Sequence, residues 1–387
     1  MERWIRNIAM TGLLIAFLTP ALGFAVNAVR GYDGISATEQ RVLAKIPSFQ
    51  GSARSFTSEF DVFLEDNFGF RMLLIRVARK IRDNLGENPP QVAVGQDGWL
   101  FLGSASYQDE FEGYGRWDAD HVQAWIDSLS EVKTALAEKD IPFAAFIAVD
   151  KARVYPEKTP QEWQEGERRL RTALHNHPDV ARTGLIDVEP LVQSAKARGK
   201  QTFYLGDTHW TSDGTYDVAM AVLDVIDPLF VRPRFLPDAP VPQIANRVLD
   251  LEAMSGRETS QEPTHVMINY PPTKPGFRTS LTLLDDGTPD PGQFSTIRIL
   301  GTDNAPQGTL LIVGDSFGDA MVGHFRPSYS EIIRIHHGAH FRNVALAEVL
   351  SYKPDAVLFV TAERQAVSKD RPFAPLVAPI QTETTTP

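Results

Sequence analysis

From about residue 119 onward, apolar segments of strand length alternate with segments of helical period. Runs rich in apolar and branched side chains lie at 143–149, 309–313 and 356–361, and a stripe with apolar residues every three or four positions covers 119–138. Strands and helices that alternate at this spacing form right-handed βαβ units around a parallel sheet. The sequence therefore predicts an α/β protein with a mostly parallel sheet.

The remaining elements follow from the same patterns. Thr211 or Ser212 is predicted to cap a helix. The buried face of this helix is predicted to hold Tyr216, Ala219, Val222, Leu223 and Ile226. We also predict a β-hairpin over 92–101, strands at 185–188, 202–204 and 331–335, and helices at 58–85, 161–174, 189–198, 317–322 and 344–350.

A serine follows one of the apolar runs at a sharp bend. Residues 309–313 read Thr-Leu-Leu-Ile-Val, Gly314 then permits a tight turn, and a helix can begin just after Ser316. A strand-to-helix bend exposes a serine and lets backbone N–H groups converge on its oxygen. Ser316 is therefore a candidate nucleophile, and its own N–H is a candidate oxyanion donor.

A serine hydroxyl needs a base, and residues 206–210, Gly-Asp-Thr-His-Trp, supply one. Asp207 and His209 are two apart, so in an extended backbone they share a face, and the carboxylate could hold the imidazole tautomer that faces serine. We predict a Ser316–His209–Asp207 triad. His324 is a weaker alternative base, and a zinc site built from Asp207, His209, His336, His337 and His340 is a rival interpretation.

The N-terminal segment has the composition of an export signal. Residues 7–29 contain no charged side chain, and Arg3 and Arg6 precede them. This length can cross a bilayer, and flanking arginines favour a cytoplasmic N-terminus. We predict a signal anchor over 1–30; a cleaved signal peptide ending near 26–28 and a buried core helix are the alternatives.

The rest of the chain divides by composition. Residues 31–118 are predicted to hold a linker, a helical segment and the β-hairpin, and residues 119–370 the catalytic domain. Residues 228–308 contain 12 of the 27 prolines and short β-prone pieces near 266–270 and 295–299, which indicate an insertion or cap with its own β structure. Residues 371–387 are rich in Pro and Thr and are predicted to be disordered.

Charge and cysteine content exclude several classes of function. The net charge of −11 argues against a general nucleic-acid-binding protein, because phosphate contacts need clustered Lys and Arg. The chain has no cysteine, which excludes disulfides, thiolate chemistry and cysteine-based zinc sites.

The sequence around the candidate triad resembles a known family. The Gly-Asp-Ser-Phe block at 314–317 is similar to the nucleophile block of SGNH (GDSL-type) hydrolases. An Asp-Thr-His-Trp block that precedes it resembles the permuted SGNH domain of the alginate O-acetylation proteins AlgJ and AlgX. The resemblance extends to 66–71 (Asp-Asn-Phe-Gly-Phe-Arg), 95–101 (Gly-Gln-Asp-Gly-Trp-Leu-Phe) and 151–158 (Lys-Ala-Arg-Val-Tyr-Pro-Glu-Lys). Because the chain ends soon after its last predicted strand, it is more similar to AlgJ.

This resemblance implies a flavodoxin-like α/β/α domain and O-acetylation of an exported polysaccharide through a serine acetyl-enzyme. It implies a periplasmic location at the inner membrane and a membrane-bound, AlgI-like O-acyltransferase as acetyl donor, without a metal or cofactor. Two alternatives stay open: a carbohydrate acetyl esterase and a non-catalytic scaffold of a polysaccharide export complex. Six further residues are candidates either for substrate or oxyanion contacts or for structural roles: Gly314, Asp315, Asn343, Arg364, Lys151 and Tyr155.

Overall fold

The computed structural model describes only part of the chain. By internal contacts the chain divides into two units, residues 1–89 with 253–257, and residues 90–252 with 258–387. The described residues are 35–36, 41–42, 56–57, 60–61, 63, 91–227, 242–245, 249–255, 264–268, 277–279, 296–301, 305–306, 308–336 and 344–374.

Three predicted features lie outside these residues: the signal anchor over 1–30, most of the helical segment over 58–85, and the tail beyond 374. Among the helices within the described ranges, none combines the length and apolar character needed to span a membrane.

In the first unit, a short antiparallel pair joins β1 (Ile35–Ser36) to β2 (Arg41–Val42). The Phe56, Phe60 and Phe63 rings follow one another at centroid distances of 5.8 and 6.0 Å. Spacings of four and three residues place these rings on one helix face.

The second unit is built on a six-stranded sheet in the order β5-β12-β10-β11-β9-β8. The first four strands are parallel neighbours, and β9 and β8 add an antiparallel edge. The prediction of a mostly parallel sheet is confirmed. The strands are β5 (Phe143–Ala148), β8 (Phe277–Thr279), β9 (Thr296–Leu300), β10 (Thr309–Gly314), β11 (Glu331–His336) and β12 (Ala356–Ala362).

Two smaller antiparallel pairs also occur among the described residues of this unit. The predicted hairpin consists of β3 (Val92–Val94) and β4 (Leu100–Leu102), and β6 (Pro242–Ala245) pairs with β7 (Thr264–Ile268). Within the segment 228–308, β6 and β7 thus form a separate pair, whereas β9 extends the central sheet by pairing with β11.

The central strands are mostly apolar because both faces of the sheet are covered. All residues of β5 and β12 are buried. Along β10, Leu310 and Ile312 belong to one buried cluster and Leu311 and Val313 to another. Side chains alternate between faces along a strand, so each cluster is the core of one face.

The helices that cover these faces are amphipathic, as the sequence predicts. Trp125, Leu129 and Leu136 of α2 join one cluster, and Val218 and Val222 of α6 join the other. The helices are α1 (Ala105–Phe111), α2 (Ala119–Ala137), α3 (Lys151–Val154), α4 (Leu170–His175), α5 (Glu189–Ala197), α6 (Ser212–Ile226), α7 (Asp250–Met254), α8 (Ser316–Asp319), α9 (Val322–Phe325), α10 (Leu346–Ser351) and α11 (Glu363–Ala366).

Two predicted strands are not members of the sheet. Leu185 makes a single parallel bridge to Ala145, and Phe203 makes a single antiparallel bridge to Trp210. The Thr202 N–H donates to the Tyr155 hydroxyl at 3.0 Å. The Thr202 carbonyl oxygen accepts from the Thr211 N–H at 2.9 Å. The backbone hydrogen bonds of Thr202 are therefore made with neighbouring loop and helix residues and not with a sheet strand. Residues 202–204 lead into the loop that carries Asp207.

Three predicted helices differ in extent or orientation. The predicted helix 161–174 is only α4, because Gly166 lies against the end of α1: an added Cβ would stand 2.1 Å from the Glu112 carbonyl oxygen. The predicted helix 317–322 is two short helices, α8 and α9. In α6, Tyr216 is 40% exposed instead of buried, and Thr215 and Val218 take the buried positions.

Candidate active site

Ser316 is the first residue of α8, directly after β10. The bend is held by Asp315, which accepts hydrogen bonds from the Phe317 N–H at 3.0 Å and the Ala362 N–H at 2.6 Å. Gly314 fits against β12 because it has no side chain: a Cβ there would lie 3.0 Å from the Val360 carbonyl oxygen. Since Ser316 opens a helix, its N–H has no partner within that helix. Gly314 and Asp315 therefore shape the bend, and the Ser316 N–H is free of helical bonding.

Asp207 and His209 lie on the loop that the Phe203–Trp210 bridge closes. Asp207 Oδ1 accepts from the His209 N–H at 3.0 Å and is 2.6 Å from His209 Nδ1. The same carboxylate oxygen thus fixes both the backbone and the ring of His209. This arrangement favours the tautomer with the proton on Nδ1.

His209 Nε2 lies 2.7 Å from Ser316 Oγ. A continuous hydrogen-bonded series therefore runs from Asp207 through His209 to Ser316. His209 and Ser316 are 107 positions apart in the chain. A base whose far nitrogen is oriented by a carboxylate and whose near nitrogen faces a hydroxyl can take the hydroxyl proton. The catalytic role of the three side chains stays a prediction.

The charges of the pair reinforce this geometry. Burial by itself raises the pKa of Asp207, but the hydrogen bond and charge of His209 outweigh burial and hold this pKa well below its usual range. Burial by itself lowers the pKa of His209. The hydrogen bond to Asp207 and the charges of Asp207 and Asp250 outweigh burial and raise this pKa above the ordinary 6.5. An ionised Asp207 beside a more basic imidazole is the arrangement that a general base requires.

Lys151 lies beneath the loop rather than at its surface. It is 2% exposed, and its Nζ donates to the carbonyl oxygens of Leu100, Leu205 and Asp207 at 2.6, 2.8 and 3.1 Å. The hydroxyl of buried Tyr155 bonds the backbone and side chain of Thr202. Both side chains support the loop that carries Asp207.

Arg364 reaches the site from α11, after the end of β12. Its backbone N–H donates to Asp150 Oδ2 at 3.0 Å and its Nη1 to Asp150 Oδ1 at 2.6 Å. The guanidinium lies over the Phe317 ring, with 5.0 Å from its central carbon to the ring centroid. The Arg364 side chain is therefore held by Asp150 next to the residue that follows Ser316.

The other candidate residues are placed differently. His324 is buried and its Nε2 is 2.9 Å from Thr215 Oγ1, with its pKa lowered to about 4 by burial, so it faces α6 and not Ser316. His336 ends β11, and burial lowers its pKa to about 4 as well. Asn343, His337 and His340 lie outside the described residues.

Sequence reasoning missed Asp250, the first residue of α7. Asp250 Oδ2 lies 3.5 Å from His209 Nδ1, and its carboxylate accepts hydrogen bonds from Thr208. No motif marks this aspartate, which stands in the proline-rich segment 228–308. Only the fold brings it to the loop at 206–210.

Asp207, His209 and Asp250 also offer three donor atoms within 4.8 Å of one another, a spacing that could hold a metal ion. In the described residues these atoms are already joined by hydrogen bonds, Nδ1 of His209 to Asp207 and the Asp250 carboxylate to Thr208. Asp207 and His209 thus belong to the hydrogen-bonded series to Ser316, and the Asp250 carboxylate is bonded to Thr208.

Comparison with solved structures gives several similar folds. The O-acetyltransferase domain of Pseudomonas putida AlgJ is 20% identical, with 72% of this chain and 94% of that chain covered and a TM-score of 0.42. A DHHW family protein of Eubacterium siraeum DSM 15702 is 16% identical (73% and 94% covered, TM-score 0.47). PatB1 of Bacillus cereus is 13% identical (71% and 96% covered, TM-score 0.47).

Comparison at the level of sequence is more specific. No curated protein matches the chain. The model of one protein family, described as the SGNH hydrolase-like domain of the acetyltransferase AlgX, matches residues 92–328, more than half of the chain and a range that includes Asp207, His209 and Ser316. The chain therefore belongs to the SGNH hydrolase-like acetyltransferase family of AlgX.

Proposed function

We propose that this protein is an O-acetyltransferase that acylates an exported polysaccharide through a covalent acetyl-enzyme on Ser316. Membership of an acetyltransferase family supports the transfer of acetyl groups. The observation that carries the mechanism is the 2.7 Å contact between His209 Nε2 and Ser316 Oγ, with Asp207 bonded to the opposite ring nitrogen.

The first half-reaction forms the acetyl-enzyme. His209 Nε2 takes the Ser316 proton while Oγ attacks the carbonyl carbon of an acetyl ester. The negative charge that develops on the carbonyl oxygen is stabilised by the Ser316 N–H at the start of α8. As the ester C–O bond breaks, the imidazolium returns its proton to the departing alkoxide, and Ser316 retains the acetyl group.

The second half-reaction repeats these steps in reverse order. His209 takes a proton from an acceptor hydroxyl, whose oxygen attacks the acetyl carbon. Ser316 Oγ leaves and recovers the proton from His209. A sugar hydroxyl as acceptor makes the protein a transferase, and water makes it an esterase.

One observation favours the esterase as the second candidate. The His209 side chain is 17% exposed, so solvent reaches the base. Transfer to a sugar then requires that the bound acceptor displaces this water.

The location and partners belong to the same proposal. The uncharged segment 7–29 with Arg3 and Arg6 before it supports export across the inner membrane, with the catalytic unit in the periplasm. A membrane-bound, AlgI-like O-acyltransferase would supply acetyl groups there.

The experiment incubates the protein with a small acetyl ester, with and without neutral and uronic-acid oligosaccharides. Intact and peptide mass spectrometry should find one acetyl group on the peptide that contains Ser316, and acetyl should pass to an oligosaccharide faster than acetate is released. Acetate release that is unaffected by any oligosaccharide would assign the esterase. An unmodified Ser316 without acetyl transfer or acetate release would refute the catalytic proposal and leave the scaffold as the explanation. Equal activity in Ser316→Ala would refute the serine mechanism and show that another group catalyses the reaction.

A further inference from the structure

Asp250 makes a set of hydrogen bonds that the proposed reaction does not yet use. The residue is 6% exposed. Its Oδ1 accepts from the Thr208 N–H at 2.8 Å, and its Oδ2 accepts from Thr208 Oγ1 at 2.5 Å. Both carboxylate oxygens are thus directed at the residue between Asp207 and His209.

The backbone around Asp250 holds the same loop. The Asp250 N–H donates to Asp207 Oδ2 at 3.0 Å, and the Glu252 N–H donates to the Gly206 carbonyl at 3.1 Å. Asp207 therefore uses Oδ1 for His209 and Oδ2 for Asp250. The orientation of the carboxylate that faces the imidazole depends on the start of α7.

Asp250 also faces the imidazole itself. Its Oδ2 is 3.5 Å from His209 Nδ1, on the same side of the ring as Asp207 Oδ1 at 2.6 Å. Two carboxylates consequently approach the ring nitrogen that points away from Ser316. A positive charge that develops on the ring interacts with both.

We propose that Asp250 is a positioning residue for acyl transfer: it clamps Thr208 and Asp207 so that His209 Nε2 is aimed at Ser316 Oγ, and it presents a second carboxylate to the ring. This inference depends on the function proposed above. Asp250 acts through the loop and the imidazole, without contact to the acetyl group.

The expected loss of kcat follows from the groups that the Asp250 side chain holds in place. In Asp250→Ala, the Thr208 N–H and hydroxyl lose their acceptor, whereas the backbone N–H of residue 250 can still donate to Asp207 Oδ2. The residue between Asp207 and His209 is then no longer fixed, and the imidazole can shift relative to Ser316. A displacement of about 1 Å of a catalytic group can cost about 100-fold in rate. We therefore expect a loss of about 10- to 100-fold in kcat for Asp250→Ala, with little change in KM because no substrate contact is removed.

The electrostatic part gives a second readout. The titratable and charged groups that act on His209 or respond to its charge are Asp207, Asp250, Arg364, Asp315, Asp319 and His336. Asp250 raises the pKa of His209 and Arg364 lowers it. Replacing Asp250 by the neutral Asn should therefore move the acid limb of kcat/KM to lower pH.

The test compares Asp250→Ala and Asp250→Asn with wild type, measuring kcat, KM, the pH profile and Tm with a small acetyl ester. Asp250→Asn should recover most of kcat because its amide oxygen can accept from the Thr208 N–H. Thr208→Val removes only the hydroxyl bond and should lie between wild type and Asp250→Ala; it also provides a measurement if Asp250→Ala does not fold. Asp355→Asn is the control, because Asp355 accepts the Thr309 N–H at 2.7 Å at the start of β10, opposite the site.

The outcomes separate the two proposals. If kcat of folded Asp250→Ala stays within about twofold of wild type, or if Asp250→Asn neither restores kcat nor shifts the acid limb, Asp250 is only structural and the inference is overturned. If wild-type Ser316 carries no acetyl group, the proposed function fails whatever Asp250 does. Unchanged kinetics in Asp355→Asn together with a changed kcat in the Asp250 variants support the role of Asp250 as a positioning residue.

Discussion

The Trp210 indole N–H donates to the Phe317 carbonyl oxygen at 3.1 Å, and so joins the loop of His209 to the helix of Ser316. The two rings also pack, with centroids 5.3 Å apart. Each residue is the neighbour of a proposed catalytic side chain. This bond therefore acts on the distance between the imidazole and the hydroxyl.

Trp210→Phe should lower both stability and activity. The variant loses one buried hydrogen bond and part of a buried ring, about 1–3 kcal/mol in unfolding free energy. Because the lost bond joins the loop of His209 to the helix of Ser316, kcat of the folded fraction should also fall by about tenfold. Urea unfolding and initial rates with an acetyl ester measure the two effects.

Trp125→Phe is the matched control for that prediction. Trp125 is also buried and donates to a backbone carbonyl, that of Lys369 at 2.8 Å, but it lies in the other core cluster, on α2. Its replacement should cost similar stability and leave kcat of the folded fraction unchanged. Equal losses of kcat in both variants would contradict the special role of Trp210.

The pH dependence of activity should reflect a base more basic than free histidine. The pKa of His209 is lowered by burial but raised overall by the hydrogen bond and charge of Asp207 and the charge of Asp250. His209 must be neutral to take the serine proton, so activity is lost as pH falls through this pKa. We expect the acid limb of kcat/KM to have its midpoint above the ordinary 6.5 of histidine. A midpoint below that value would show that desolvation dominates.

The candidate site illustrates which features local sequence can predict. The bend at Ser316 follows from a run of branched residues, a glycine and a helix start, all within ten positions, and the Asp207–His209 spacing is equally local. Both motifs can be recognised directly in the sequence. Only Ser316 directly follows a strand of the sheet, so the contact between His209 and Ser316 depends on the loop that the Phe203–Trp210 bridge closes. The parts of the site that depend on tertiary contacts alone are harder to predict from the sequence.

Asp250 and Lys151 show the limit. Asp250 bonds Thr208 from 42 residues away and stands in the proline-rich segment 228–308, where no motif marks it, so no local signal identifies it. The sequence leaves Lys151 open between a substrate contact and a structural role, and only the structure shows that three backbone carbonyls make its burial favourable. The residues 202–204 have strand propensity, but Tyr155 and Thr211 take their backbone hydrogen bonds, which sequence pattern does not show.

Arg364→Ala should destabilise the protein chiefly through Asp150. Burial raises the pKa of Asp150 to about 6, against the lowering effect of Arg364. Removal of Arg364 leaves a buried carboxylate without its cation, which typically costs about 3–5 kcal/mol. Because the folded-state pKa of Asp150 rises further in the variant, the deficit should be smallest at acid pH and grow as pH rises.

A double-mutant cycle tests this account. Asp150→Asn combined with Arg364→Ala should be more stable than Arg364→Ala alone near neutral pH, because the unpaired charge is gone. Urea unfolding of the four proteins near pH 5 and pH 8 gives the coupling energy. Additive losses at both pH values would show that the pair does not interact.

Glu110→Gln should change the pH dependence of stability through a second buried carboxyl, which lines the same small cavity as Asp150. Glu110 is 3% exposed, and burial, followed by the charge of Glu363, raises its pKa from 4.5 to about 8 despite the opposing charge of Arg153. A carboxyl whose pKa is raised on folding contributes stability that is complete below its unfolded pKa and is lost as pH rises through the folded pKa. Wild type should therefore lose stability between 4.5 and about 8 by this group, and Glu110→Gln, which keeps the shape but cannot ionise, should not.

The variant should consequently gain on wild type as pH rises. We expect little difference in unfolding free energy near pH 5 and an advantage for Glu110→Gln on the order of 1–3 kcal/mol near pH 8. Urea denaturation at both pH values measures it. A difference that is the same at both pH values would contradict the raised pKa of Glu110, since the difference depends on pH only if the pKa of Glu110 differs between the folded and unfolded states.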